Sequence, residues 1–465
     1  MATNGLGTWR PAAATSPTAG GRGAGWALVA TSLGFAVVQL DVSVVNVAIK
    51  PIGADLGGGV SGLQWVVGAY TLAFAALILS AGALGDRIGA RRVFIAGFSL
   101  FTVASAACGL APTLGFLVAA RAVQGVGAAV LVPCSLNLLN NAYREERARA
   151  HAVGLWAAGA AVALSAGPLI GGVLISSLGW RSIFFINAPI GLAGILLTVR
   201  FATETPRAAD RGIDLPGQLA AIVALVALAG SMIEAGRRGF ADGLVLTGFG
   251  VAALALTAFV LIEWWRRSPM LPLGLFRSRT FSASSAIGIV INVAFYGLIF
   301  VLSLYFQTTR HYSVLLTGLA FAPTTVAVFA ANLLAGRVAR IAGRRSLLAA
   351  AALLLAAGLG GLLVIGPGTG YAAIVAQLVV VGFGLGLIVP VMTSALLGSV
   401  DAGHSGVASG TLNTARQTGS VVGVGLFGSL AAGHLVSGLR LALLISVGLA
   451  LLVAALTRGM AAESG

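Results

Sequence analysis

The sequence predicts an all-α polytopic membrane protein with fourteen membrane-crossing helices. Three observations predict it. Hydrophobic residues make up 58% of the 465-residue chain, charged residues only 9%, and the mean hydropathy is +1.00; a soluble chain of this length needs far more surface charge. Apolar runs of about 20 residues, each long enough to cross a ~30 Å hydrocarbon core, recur from end to end. The charged residues fall mostly in the short segments between those runs.

The spans read, in order, as 26–49, 62–82, 93–111, 114–139, 151–176, 182–202, 215–235, 243–265, 281–306, 315–338, 346–366, 371–397, 405–432 and 439–457. Span 1 opens at Trp26 and stops before Lys50 and Pro51. Spans 2 and 3 flank a Gly- and Arg-rich turn at 82–92. Spans 4 and 5 are parted by the charged run Arg144–Arg149, and spans 6 and 7 by the polar segment 203–214. A second glycine and arginine turn at 336–345 separates spans 10 and 11, and Asp401–His404 precedes span 13. Residues 1–25, rich in Gly, Ala, Pro and Thr, are expected to be a disordered cytoplasmic tail rather than a cleaved signal peptide, because a full-length span follows directly. Residues 458–465 are expected to form a second cytoplasmic tail.

Charge gives the orientation. With the N-terminus inside, twenty of the 28 Lys and Arg residues lie on the cytoplasmic side and six outside (Lys50, Arg181, Arg237, Arg238, Arg310 and Arg440), with Arg121 and Arg416 inside spans. Excess positive charge marks the cytoplasmic face, so both termini are expected there and the protein in the cell membrane. The net charge of +15 is therefore a topology signal, and no soluble domain is left to hold a nucleic acid. Cys108 and Cys134 fall in apolar runs and read as small hydrophobes.

The chain repeats itself. "GALGDRIGARR" (82–92) is echoed by "GRVARIAGRR" (336–345), and "QGVGAAVLVP" (124–133) by "VGFGLGLIVP" (381–390). Gly82 and Gly336 are 254 residues apart, and Pro133 and Pro390 are 257 apart. Two nearly equal offsets predict two six-helix halves, 26–202 and 281–457, with two inserted helices and their linkers in 203–280. Parallel halves about an axis normal to the membrane are one transporter architecture.

Asp41 is the acidic residue placed deepest in a span, about eight residues from the outer end of span 1. Arg121 lies about eight residues from the outer end of span 4. At 1.5 Å per residue both sit roughly 12 Å below that boundary. A charge at such depth costs roughly 2.5–3.5 kcal/mol on insertion scales, so two opposite charges at one depth are expected to pair, directly or through water. A static salt bridge and a titrating site both fit that placement.

Taken in register, these segments resemble the major facilitator superfamily, and within it the fourteen-helix drug:proton antiporter branch. "GALGDRIGARR" is similar to the family's loop between helices 2 and 3, with Gly82, Asp86, Arg87, Gly89, Arg91 and Arg92 in place and Ala90 where a basic residue is usual. The resemblance implies a cytoplasmic gate loop that holds the outward-facing state shut. "LVAARAVQGVGAAVLVP" (117–133) matches the span 4 motif that carries Arg121. "GLWAAGAAVALSAGPLIGG" (154–172) resembles the antiporter motif of span 5 through Gly154, Gly167, Pro168, Gly171 and Gly172, with Ala163 replacing a usual Gly; the family associates this motif with export. Leu40, Asp41, Ser43, Val44, Val45, Asn46, Val47 and Ala48 follow the span 1 signature, with Lys50 where proline is expected and the proline displaced to Pro51. "WRSIFFINAPIG" (180–191), "PLGLFRSRTF" (272–281) and "GVASGTLNTARQTGS" (406–420) also match.

The resemblance implies a proton-coupled antiporter exporting amphiphilic drugs or antibiotics by alternating access, with Asp41 and Arg121 carrying the coupling. The proton gradient is the energy source and no cofactor is expected. Expected partners are the small amphiphilic substrate, protons and membrane lipids, with the monomer as functional unit. Pathway candidates are Asn46, Asn137, Asn292, Tyr296, Asn413 and Arg416, each equally able to serve as a helix-packing hydrogen bond. A proton-coupled uptake permease for a small metabolite is the rival reading, and a channel or membrane sensor is less favoured by the two-half repeat. An ATP-driven pump would need a Gly-Lys-Ser/Thr loop, whereas the only lysine, Lys50, follows Ile49. The four histidines are scattered, so no catalytic residue and no metal site are expected. The scarcity of buried acids disfavours dications and leaves neutral, monocationic or zwitterionic amphiphiles.

Overall fold

The computed structural model describes residues 22–143, 145–207, 214–266, 269–401 and 405–460. Of the tails expected over 1–25 and 458–465, residues 1–21 and 461–465 lie outside the described residues, as do the loop arginines Arg144 and Arg267, while 22–25 already belong to the first helix and Thr457–Gly459 form a short 3-10 turn. Fourteen long helices are described: α1 Arg22–Leu56, α2 Val60–Ile88, α3 Ala90–Gly109, α4 Leu114–Ala142, α5 Glu146–Leu178, α6 Ser182–Phe201, α7 Leu215–Arg238, α8 Gly243–Trp265, α9 Arg279–Thr309, α10 Val314–Ala342, α11 Arg344–Gly361, α12 Val375–Leu397, α13 Ser405–Ala431 and α14 Leu435–Leu456. Helix α1 starts four residues before the expected span, and Pro51 is accommodated in its penultimate turn.

Polar side chains start several helices by accepting from otherwise orphan N–H groups. Thr113 accepts from Phe116 N, Asp214 from Gly217 N, Asp242 from Leu244 N, Ser278 from Phe281 N and Ser313 from Leu316 N. Gly89, with φ +106°, makes the reversal between α2 and α3, a conformation closed to most L-residues.

Thirteen of the described helices are long and apolar enough to cross a membrane. The exception is α13, 27 residues long, whose Asn413, Arg416, Gln417 and Ser420 lower its mean hydropathy.

Helix packing repeats between the halves. Helix α1 packs on α5 and α6, α2 on α4, and α3 on α4 and α6; likewise α9 packs on α13 and α14, α10 on α12, and α11 on α12 and α14. The halves meet through two equivalent pairs, α2 with α13 and α5 with α10. Helices α7 and α8 pack against each other, with α7 seated on α2 and α13. Leucines such as Leu254 on α8 and Leu196 on α6 stay exposed, as on a surface solvated by lipid rather than water. Trp26, Trp264 and Trp265 stand exposed at helix ends on one face, where aromatic belts form.

Candidate functional site

Asp41 and Arg121 form a direct ion pair, with side chains 0% and 1% exposed. Register explains why the pair faces into the N-terminal half. Asp41 precedes Ser43 by two residues, about 200° around the helix, and Ser43 faces the space between the halves. The Asp41 carboxylate also accepts from Gln124 Nε2 at 2.8 Å and from Asn187 Nδ2 at 3.0 Å. Arg121 donates to Gln124 Oε1 at 2.7 Å and to the Val66 carbonyl at 3.1 Å, and its guanidinium lies 4.2 Å from the Tyr70 ring centroid. Asn187 is held in turn: it donates to Ser105 Oγ at 2.9 Å, which donates to the Phe184 carbonyl at 2.9 Å.

Five helices thus share one polar network, with donors from α4 and α6 meeting the carboxylate of α1. Three donors satisfy the buried charge that the lipid-like interior would otherwise make costly. Arg121 is the partner expected from depth. Gln124, Asn187, Tyr70 and Ser105 were not singled out by sequence, although Gln124 follows Arg121 by one turn and Asn187 stands in the quoted 180–191 segment.

Between the halves lies a cavity of about 50 Å³, walled by Ser43 and Asn46 of α1, Ser165 of α5, Tyr296 of α9, and Phe321 and Thr325 of α10, among others. Ligand pockets measure about 300–1,000 Å³, so the space is contracted. Asn46 and Tyr296 therefore lie on the central wall. Asn292 and Asn413 donate back to Gly288 and Ser409 within their own helices, at 2.7 Å and 3.0 Å. Asn137 is placed away from the cavity, where it donates to Asp86 in the 82–92 loop.

That loop docks against the segment after α6. Arg91 donates its N–H to Glu204 Oε1 at 2.9 Å and its guanidinium to the Val199 carbonyl at 2.7 Å, and Arg92 lies 3.8 Å from Glu204. A Cβ at Gly89 would meet the Glu204 carboxyl at 2.6 Å. Ala90 is fully buried, with its N–H donated to Thr205 Oγ1 at 2.9 Å, which accounts for a small residue where the family usually has a basic one. Arg87 is exposed, and Gly82 sits beside Pro133 of α4.

The span 5 motif works by close approach. A side chain at Gly167 would strike Ser43 and Val44, and one at Gly171 would strike Val47 and Val44 at 2.7–2.8 Å. Gly172 faces Leu315 of α10, and the Pro168 carbonyl abuts Gly318 of α10. Helix α5 is therefore wedged between α1 and α10, one helix of each half. Gly154 has nothing within 4 Å of a would-be Cβ, and neither has Gly336 on the facing part of α10.

Side-chain bonds tie the halves near the Lys50 end. Lys50 Nζ donates to the Gln307 carbonyl at 2.6 Å, Gln307 Nε2 to the Val47 carbonyl at 3.2 Å, and Ser303 Oγ to the Asn46 carbonyl at 2.7 Å. Gln307 sits in a wide π turn, Tyr305–Thr309. On α2, Gln64 Nε2 donates to the carbonyls of Val424 and Gly425 at 2.9 and 2.8 Å. These bonds close the molecule at this face.

Two equivalent six-helix halves, closed at one face over a small central cavity, define a secondary transporter of the alternating-access type. The comparisons place it further. The model of the Major Facilitator Superfamily matches residues 31–424, and the chain belongs to that family. It is 39% identical to the methylenomycin A resistance protein of Streptomyces coelicolor over 88% of this chain and 87% of the relative. It is 36% identical to the multidrug resistance protein Stp of Mycobacterium tuberculosis, over 88% and 76%. It is 31% identical to the tetracenomycin C resistance and export protein of Streptomyces glaucescens, over 90% and 78%. The crystal structure of the human organic anion transporter MFSD10 (TETRAN) shares the fold, with a TM-score of 0.67 at 16% identity, covering 95% of this chain and 100% of that one.

Proposed function

We propose that this protein is a proton-coupled exporter of amphiphilic, drug-like compounds across the cytoplasmic membrane, with both termini cytoplasmic. The Asp41 carboxylate, buried and held by Arg121, Gln124 and Asn187, carries the reading. In the state closed at the Lys50 face, three donors occupy the carboxylate. Those donors stand on α4 and α6 of the same half as Asp41, so freeing the carboxylate for a proton needs movement of α1 within the N-terminal half. The gap between α1 and α5 is filled by Gly167 and Gly171 at Ser43–Val47, so movement of α1 is felt at both the carboxylate and the cavity wall. The resistance and export named for the relatives supports drug-like cargo. Potential and proton gradient supply the work: about 2.3 kcal/mol per charge per 100 mV and ~1.4 kcal/mol per pH unit, a few hundredfold gradient for one proton.

The test is drug-stimulated proton release from acid-loaded inverted vesicles, read with a pH-sensitive dye, beside drug counterflow with and without a pH gradient. Export with proton exchange supports the reading. Drug movement indifferent to the pH gradient, or inward accumulation in right-side-out vesicles, overturns it.

A further inference from the structure

The proposed export leaves the cargo's charge open, and one side chain bears on it. Arg416 lies on α13 about eleven residues from Ser405, roughly 16 Å along the helix axis. Its Nε is buried without a hydrogen-bond partner, and so are Thr414 Oγ1 and Gln417 Oε1 on the same helix. Among the described residues its guanidinium has no ion pair. The other deep charges, Asp41 and Arg121, neutralise each other. Among the described residues, Arg416 is therefore the one positive charge deep in a span without an ion pair, at a depth where charges are rare and mark function.

The register of α13 shows where that charge points. Gly419 and Gly423 press on the Ile289 and Val293 carbonyls of α9, while Gly410 and Gly428 face Leu79 and Gln64 of α2. At about 100° per residue, Arg416 falls between those two edges with Asn413 and Ser420. That strip faces the route between the halves. The Arg416 stem lies over Gly288 of α9, and two turns along α9 Tyr296 forms cavity wall.

We propose, resting on the export reading above, that Arg416 anchors an anionic group, a carboxylate or sulfonate, on the exported amphiphile. The planar guanidinium fork matches such a group through paired N–H···O bonds. Asn413 and Ser420 supply flanking polar groups, and Phe295, Ile299 and Phe321 of the cavity wall receive the apolar body. The cargo brings the countercharge that the protein lacks, and cationic cargo is repelled.

The test compares dansylglycine with its methyl ester, binding to purified protein in lipid nanodiscs at equilibrium with no gradient. The wild type binds the carboxylate at least about tenfold more tightly than the ester, a difference of ~1.4 kcal/mol. Arg416→Gln brings the ratio to about one. Arg416→Lys, which keeps charge but loses the fork, leaves an intermediate ratio and checks that a folded variant is being read. Equal or weaker binding of the carboxylate by the wild type, or an unchanged ratio in Arg416→Gln, overturns the assignment. Vesicle transport of both probes is scored separately. Carboxylate preference without gradient-driven movement would sink the export reading and leave Arg416 standing; gradient-driven export with no preference would do the reverse.

Discussion

Replacing Asp41 by Asn separates what the ion pair does for stability from what it does for coupling. The substitution removes the charge opposite Arg121 and turns an N–H₂ donor toward a site already filled by the donors Arg121, Gln124 and Asn187. Breaking a buried pair by neutralising one partner costs about 3–5 kcal/mol, because the other charge stays buried and unpaired. The Tyr70 face and the Val66 carbonyl still hold Arg121, so the lower end, ~3 kcal/mol, is expected. The double variant Asp41→Asn with Arg121→Gln removes both charges and should recover to within about 1–2 kcal/mol of wild type. Neither variant can bind and release a proton at this site. Thermal unfolding in detergent and drug-stimulated proton uptake in proteoliposomes give the two readings. The expectation is a destabilised single variant, a recovered double variant and no proton movement in either. Drug-stimulated proton uptake retained by the stable double variant refutes Asp41 as the carrier. Full stability of the single variant refutes the electrostatic account of the pair.

Further outcomes follow from the packing. Gly171→Ala pushes a methyl into Val44 and Val47 and should cost about 1–3 kcal/mol by overpacking, with efflux falling. Gly154→Ala meets nothing within 4 Å and should leave unfolding unchanged or raise it by about 0.5–1 kcal/mol through helix propensity; calorimetry of the two side by side checks both. Gly89→Ala combines the φ of +106° with a clash on Glu204; it should cost at least about 1–2 kcal/mol and loosen the gate loop, read as faster hydrogen exchange over 85–92. Lys50→Ala removes an exposed ammonium from the Gln307 carbonyl, worth at most about 1 kcal/mol. It should raise hydrogen exchange over 303–310 while transport continues. Unchanged exchange there would deny Lys50 a part in closing that face.

Much of this was legible in the sequence, for stated physical reasons. Membrane spans advertise themselves because lipid demands about 20 apolar residues each, and the repeated Gly-Arg turns and Pro133 and Pro390 carry the two-half plan at nearly constant offset. Equal depth brought Asp41 and Arg121 together before any contact was known. What stayed hidden depends on partners distant in sequence. Lys50 looked like a misplaced residue because its acceptor, Gln307, is 257 positions away and is presented by a π turn with no marked sequence signal. Ala90 looked like a lapse from the family loop until Thr205 and Glu204 filled the space around it. Asn137 looked like a pathway residue because an amide in a span signals some hydrogen bond, and nothing local says that the partner is Asp86.

Helix α13 carries the same argument to its end. Hydropathy alone rejects it as a span, since Arg416, Gln417 and Asn413 lower its mean hydropathy. It survives because α9, α2, α7 and α14 surround it, so its polar edge meets protein and the central route instead of lipid. A polar helix is tolerable in a membrane only where it is shielded in this way. Shielding from lipid leaves Asn413 able to bond back to its own backbone, but it supplies no anion for Arg416. The cost of that charge is borne by the rest of the bundle unless something carrying a negative group enters the route, which is why the same residue that makes α13 look least like a span is the one that constrains the cargo most.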